Sequence, residues 1–342
     1  MNMRKYFQRF AASLAAAAVI TAVGVGIVSH HNVEYADMYT ALANGINSEE
    51  ALYSYTMPDR TDLSGYAELT NNDYVIYQLN EFNTIETQLG YCTVEINAGT
   101  QKDVLTVSMS CLDDNIRNST ELNTAVKEGK LYIQNTCYGS IPALRDRIKI
   151  IINIPDDYKG GYTIMADKSD ITFTNAESTM DTVISLNNCN FSAENITSSN
   201  ITADFGGTTA KLDNVLSSGE ISVSASSSDI KINDVSSQYT KVKLSSTAVD
   251  AENLSGALTY ESDLSRLYLK NNTVSGNMSL NSKKGTINVS LPKNAPLILQ
   301  HDEVWSAFYN NTGLSESKKN NKDLQYILET NVEFTIVTLD EK

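Results

Sequence analysis

Three stretches of this chain are variations on one line: Thr209-Ala-Lys-Leu-Asp-Asn-Val215, Asp229-Ile-Lys-Ile-Asn-Asp-Val235 and Ala248-Val-Asp-Ala-Glu-Asn-Leu254. Each places a small or apolar residue second, fourth and seventh, and each begins 19 or 20 residues after the one before. Working outward, the same triplet occurs as Ile171, Phe173 and Ala176, then Phe191, Ala193 and Ile196. A last unit reads Leu269, Asn271 and Val274, with an amide in the middle place. A period of this length is the mark of a solenoid, in which each lap buries its inner face only against its neighbours.

A second alternation lies between the triplets: Ile184 and Leu186, Ala203 and Phe205, Val223 and Ala225, Val242 and Leu244. Two-residue alternation is strand spacing with one face buried. Each lap is therefore expected to hold two or three short strands joined by corners of Ser, Asn, Asp and Gly, whose side chains bond nearby backbone. No Pro occurs from 162 to 291, as expected of backbone paired to laps on both sides, and Pro292 and Pro296 appear where the period stops. The expected fold class is all-β, a single-stranded β-solenoid (β-helix) of about 19–20 residues per turn, preceded by an N-terminal transmembrane helix.

Five segments follow from this reading: a stub and membrane or signal helix over 1–28, a partly helical stalk over 29–65, an N-terminal β region over 66–161, regular repeats over 162–292 and a C-terminal cap over 293–342. Within the β region, strands are expected at 74–79, 91–97, 103–110, 130–135 and 148–154. Leu122, Ala125 and Val126, with Glu128 and Gly129 after them, predict one short helix or turn over 119–129.

Asp and Glu number 41 against 26 Lys and Arg, a formal net charge of −15. A surface so negative repels nucleic-acid phosphates and anionic headgroups, so no nucleic-acid partner is expected. Three His and one Trp leave little material for zinc sites or sugar-stacking platforms. Arg4, Lys5 and Arg9 precede 19 uncharged residues, Phe10 to Val28, about 28 Å as a helix. That length matches a bilayer core and predicts a signal anchor, with the membrane as a partner through residues 10–28 and the C-terminal part outside a bacterial cell. Cleavage of the same segment as a leader would give a secreted protein. Cys92, Cys111, Cys137 and Cys189 allow three pairings; Cys92 with Cys111 is the nearest in sequence, and four unpaired thiols are the alternative.

Leu216 to Ser236, with Asp170-Ile-Thr-Phe-Thr-Asn175, Val274-Ser-Gly-Asn277 and Gly285-Thr-Ile-Asn-Val-Ser-Leu291, resembles the Ser-x-Gly-Asp-Ile texture of a bacterial family of β-strand repeat proteins. That family is catalogued as "putative adhesins", a domain of unknown function of the DUF4097 type. The likeness extends over about 90 to 340. It implies a β-solenoid on an exported or anchored protein, and no catalytic residues.

The repeats carry acids at Asp170, Glu194, Asp213, Asp234 and Glu252, which read best as solvated corners; a calcium ladder or a lyase-like groove is the alternative. Glycosidic hydrolysis needs two carboxylates flanking a bond in a cleft, and laps held at 19 or 20 residues leave no loops to build one. All three His, at 30, 31 and 301, lie outside the repeat, so no Ser there has a base. No enzyme activity and no cofactor are expected. Trp305, Phe308 and Tyr309 are the candidate contact surface; the competing reading is that they plug the last lap. The expected function is adhesion, binding or scaffolding toward a surface protein or glycan, with a polysaccharide-lyase-like enzyme or a self-associating structural protein as alternatives.

Overall fold

The computed structural model describes residues 68–69, 74–100, 104–112, 116, 118, 120–137, 147–312, 314 and 326–341. They form one continuous β system of short strands stacked lap on lap. Two main parallel ladders run through it. In the first, Tyr162, Thr182, Ile201, Ile221, Thr240, Leu258 and Met278 are successive partners. In the second, Ile171, Phe191, Ala210, Ile230, Val249 and Leu267 are successive partners, none more than 3% exposed. Side chains one lap apart touch inside a single narrow column, and this column is the core. The sequence period matches these ladders, with one correction. Partner offsets shorten to 18 where Ala248–Asp263 meets Arg266–Lys270, so Leu267 and Leu269, not Leu269 and Asn271, hold the two inward places. Asn271 is wholly buried beyond them, accepting from the Leu254 N–H at 2.9 Å and donating to its carbonyl. Its side chain satisfies a backbone that has no further strand to pair with there.

The corners are set by residues in the left-handed conformation. One column of such corners runs through Lys168, Asn188, Gly207, Ser227, Ser246, Leu264 and Lys284, and a second through Asn175, Asn195, Asn214, Asp234 and Asn253. Asn and Asp tolerate this region better than other side-chain-bearing residues. The second column also bonds along its length. Asn195 donates to Asn175 at 3.0 Å, Asn214 to Asn195 at 2.7 Å, Asn253 to Asp234 at 2.8 Å, and Asn272 to Asn253. Just past the first column lies a buried spine of Ser169, Cys189, Thr208, Ser228, Thr247 and Ser265. Each donates to the carbonyl two residues before it and accepts the backbone N–H of the equivalent residue one lap earlier, as in Thr208 N–H to Ser228 Oγ at 3.1 Å. Cys92 begins this spine, its Sγ 3.8 Å from Ser169 Oγ, so the Cys92–Cys111 bridge is not formed. At the third corner Gly256 has φ +97, and a Cβ there would lie 2.0 Å from the Ser237 carbonyl oxygen. Only glycine fits that approach.

Both ends of the stack depart from sequence order. Thr93–Ala98 lies between Ile148–Ile154 and Asp170–Thr174, and Thr84–Gly90 lies between Lys130–Cys137 and Gly161–Asp167. The chain thus makes one lap, returns beneath it, and then climbs above it. The turn or helix expected over 119–129 is instead a strand, Thr120–Lys127, paired antiparallel with Lys130–Cys137. Glu128 and Gly129 both have positive φ, the signature of a two-residue hairpin turn, and Thr120, Leu122 and Thr124 alternate inward. At the other end the final strand, Tyr326–Glu341, inserts between Met278–Leu291 and an end rung made of Leu297–Val304 and Ala307–Asn310.

The membrane part of the expected fold class is corrected. No helix among the described residues is long and apolar enough to cross a membrane. The expected transmembrane helix and signal anchor of residues 10–28, and with them the membrane partner and the single-pass location, lack that support. Residues 10–28 and the stalk of 29–65 lie outside the described residues. The reading rested on the basic residues Arg4, Lys5 and Arg9 and on an uncharged run of the right length, and seven of those 19 residues are Ala, whose small side chain contributes little apolar area.

Candidate functional site

The end rung carries the three residues singled out as a contact surface, and it divides them. Trp305 sits at the corner between the two strands of the rung, in the left-handed conformation at φ 51, and is 83% exposed. It continues the first corner column, directly after Phe334, whose φ is 48 and whose ring is 52% exposed. Tyr309 points outward and is 55% exposed. Phe308 is opposite Val337, which faces inward with no exposure, and it packs against the core with His301 stacked on it at 4.6 Å. Alternation explains the split, since neighbours in a strand face opposite sides. Phe308 plugs the stack while Trp305 and Tyr309 face outward.

The periodic acids separate in the same way. Glu194, Asp213 and Glu252 share one outward row, with Asn233 between the last two. Asp234 stands apart at the amide corner and Asp170 is opposite Asn190, whose side chain donates to it at 2.7 Å. Lysines interrupt the row's charge: Lys211 lies 2.8 Å from Asp213 and Lys270 2.7 Å from Glu252. Among the described residues no cluster of three or more His, Cys, Asp or Glu is placed to hold a metal ion. Two shallow depressions mark the outer faces. One of about 570 Å³ lies over Lys231, Asp250, Tyr268 and Lys270, and one of about 460 Å³ over Glu261, Lys283, Asp302, Val304 and Glu333. Neither depression is lined by a His or a Cys.

Sequence reasoning missed a polar chain in the N-terminal laps. Gln134 donates to Gln88 at 2.9 Å, Gln88 to Glu86 at 3.0 Å, and Lys130 to Glu86 at 3.1 Å. Glu86, Gln88 and Gln134 are all buried, and the Glu86 carboxylate holds Lys130 above its ordinary range. Such a chain ties two neighbouring strands, Thr84–Gly90 and Lys130–Cys137, and is stable only because each member has a partner. Its only sequence signal was the pairing of polar residues at outward places. Deeper in the core the Tyr162 hydroxyl finds no partner among the described residues, and burial raises both Tyr162 and Tyr260, the latter to about 12, so both stay neutral. Asp167, half-buried beside Lys168, is also pushed up, by loss of water.

A family model described as Toastrack DUF4097 matches residues 82–334. No curated protein matches the chain. Among solved structures the chain is similar to a "putative adhesin" from Bacteroides fragilis NCTC 9343, at 13% identity and a TM-score of 0.38 over 78% of this chain and 96% of that one. It is also similar to a "putative cell adhesion protein" from Clostridium sporogenes ATCC 15579, at 14% identity and a TM-score of 0.22, covering 80% and 100%. A "putative adhesin" from Parabacteroides merdae ATCC 43184 aligns at 9% identity and a TM-score of 0.29, covering 80% and 96%. The family match reaches from Phe82 in the earliest laps to Phe334 in the inserted last strand, and on that span the chain belongs to the Toastrack DUF4097 family.

Proposed function

We propose that this protein is a binding or scaffolding module with no chemistry of its own, adhesive toward a surface protein or glycan. The observation that carries the reading is the make-up of its surface. Among the described residues the outer faces are regular rows in register from lap to lap with shallow depressions, and Val304, Trp305, Tyr309, Phe334 and Ile336 are exposed together at one end. A stiff stack with repeated rows suits an extended ligand or a fixed spacing between partners. Catalysis instead needs a pocket in which reacting groups converge and water is excluded.

The full chain, screened against glycan arrays and immobilised proteins with and without calcium, tests this. Saturable binding by some ligand class, with no new reducing ends or unsaturated products from polyuronates, is expected. Turnover of a polyuronate would overturn the reading in favour of a lyase. No binding up to high micromolar concentration would favour a purely structural role.

A further inference from the structure

The outward face of the second ladder carries a depression that is long in one direction only. The depression of about 570 Å³ spans five rungs, from Lys231 through Asp250, Tyr268 and Asn288 to the rung of Asp340. Across the strands it is two outward rows wide, the second row running from Asn233 through Glu252 and Ser290 to Asp340. At about 4.8 Å per rung and about 3.3 Å per strand residue it is about 19 Å long and about 7 Å wide, with its long axis along the stack. Tyr268, 41% exposed, stands at its middle. Arg266 lies over one face of that ring, 5.2 Å from its centroid, and does not line the depression, so the ring's other side is left to it. Beyond Asn288 and Thr338 the same row reaches Tyr309, 55% exposed. Tyr268 and Tyr309 are three rungs apart, about 14 Å.

We infer that this face binds an uncharged glycan lying along the stack axis, with one sugar ring against Tyr268 and another against Tyr309. The inference rests on the binding reading above and names the ligand class and its site. An extended peptide is recruited through free backbone groups at a sheet edge. Here every strand under the depression has a ladder partner on both sides, so the floor has no backbone bonds to give. A glycan needs none: its C–H faces cover aromatic rings, and its hydroxyls donate to carboxylates and accept from amides and ammonium groups. Asp250, Asn288 and Ser290 supply such groups beside Tyr268. Each pyranose of an extended chain advances by about one rung, so successive sugars meet equivalent places in the row. Charge selects the neutral kind. Two lysines and three acids line the depression, and Arg266 on the Tyr268 ring is a third cation, a local balance in a chain of net charge −15. A polyanionic glycan would gain no net attraction at the site and would be repelled by the chain as a whole.

The test titrates the full chain by calorimetry with cellohexaose, xylohexaose, mannohexaose and chitohexaose, with the dimer of each, and with oligogalacturonate as the charged probe. Saturable binding of at least one uncharged hexamer is expected, changed less than about twofold by added salt because the ligand carries no charge. Tyr268→Ala and Tyr309→Ala should each weaken that hexamer about tenfold, while Tyr268→Phe keeps the ring and the affinity. Tyr239→Ala, which removes an exposed ring beside the first ladder, should leave binding unchanged. The dimer of the same sugar is too short to bridge three rungs and should bind at least about tenfold more weakly. Hexamer binding that is equal in wild type, Tyr268→Ala and Tyr309→Ala would overturn the site and leave the binding reading intact. Binding of oligogalacturonate or of a protein ligand, with no uncharged hexamer bound, would overturn the ligand class and leave that reading intact. Binding of none of these would overturn both.

Discussion

Asn253 donates its side-chain amide to Asp234 at 2.8 Å, and Asp234, a carboxylate, has no amide to pass on to Asn214. Every other link in this corner column is an amide donating toward the N-terminal side, through Asn214 to Asn195 and Asn195 to Asn175. Asp234 is therefore the one break in an amide ladder. Asp234→Asn is expected to raise unfolding free energy by about 1 kcal/mol, the net worth of one added hydrogen bond. Asn195→Asp, which removes a donor from an intact link, should lower it by a similar amount. Urea unfolding followed by circular dichroism checks both, and a loss of stability in Asp234→Asn would show that the carboxylate is better placed than the amide.

The buried spine predicts unequal costs at adjacent members. Thr208 Oγ1 accepts the Cys189 N–H at 3.3 Å and donates to the Gly206 carbonyl at 3.0 Å. Thr208→Val keeps the shape but strands the Cys189 N–H, and should cost about 1–3 kcal/mol. Cys189→Ser keeps both an acceptor and a donor and should cost less than about 1 kcal/mol. Amide hydrogen exchange at Cys189 should quicken in Thr208→Val beyond any global change in stability. Equal stability of Thr208→Val and wild type would mean the spine adds nothing to the stack.

Much of the stack is legible in the residues because each lap repeats the same inward places. Val223 and Ala225 align with Val242 and Leu244 as a period of 19 or 20 requires. The amide corner was legible too, since Asn195, Asn214 and Asn253 each stand one place before an apolar residue at the same period. The ends were not. Thr93 partners Asp170, 77 positions on, and Met278 partners Leu328, 50 positions on, so no local period records the insertion. Trp305 and Phe334 hid for another reason: left-handed corners are read from Asn, Asp or Gly, and aromatic rings give no such signal. The strand Thr120–Lys127 was misread because Leu122 and Val126 are spaced four apart, which suits a helix and a strand alike.

Asp167 gives the pH dependence. Burial raises its carboxyl above the usual value near 3.9, since the charged form loses water. A raised carboxyl favours the folded state fully below its unfolded value, and that contribution is lost as pH rises through the folded value. At neutral pH the ionised Asp167 therefore costs stability. Because the group is only half-buried the cost is modest, about 0.5 kcal/mol or less. Asp167→Asn is expected to stabilise by that amount at pH 7 and to show no advantage below about pH 3.9. Thermal unfolding of the two proteins across pH checks the sign; an advantage for the variant that grows toward acid would contradict it.

Pulsed electron–electron distances along a single outward row test the stacking itself. Thr172, Asp250, Tyr268, Asn288, Thr338 and Tyr309 occupy that row in this spatial order. With native cysteines replaced by Ser, one spin label stays at Thr172→Cys and the other moves along the row. The separation should climb by about 4.8 Å per rung, from about 19 Å at Asp250 to about 38 Å at Tyr309. Thr338, later in sequence, should be nearer than Tyr309 by one rung. Separations that fail to grow with rung number, or a Tyr309 label nearer than a Thr338 label, would contradict the stacked coil and its inserted final strand.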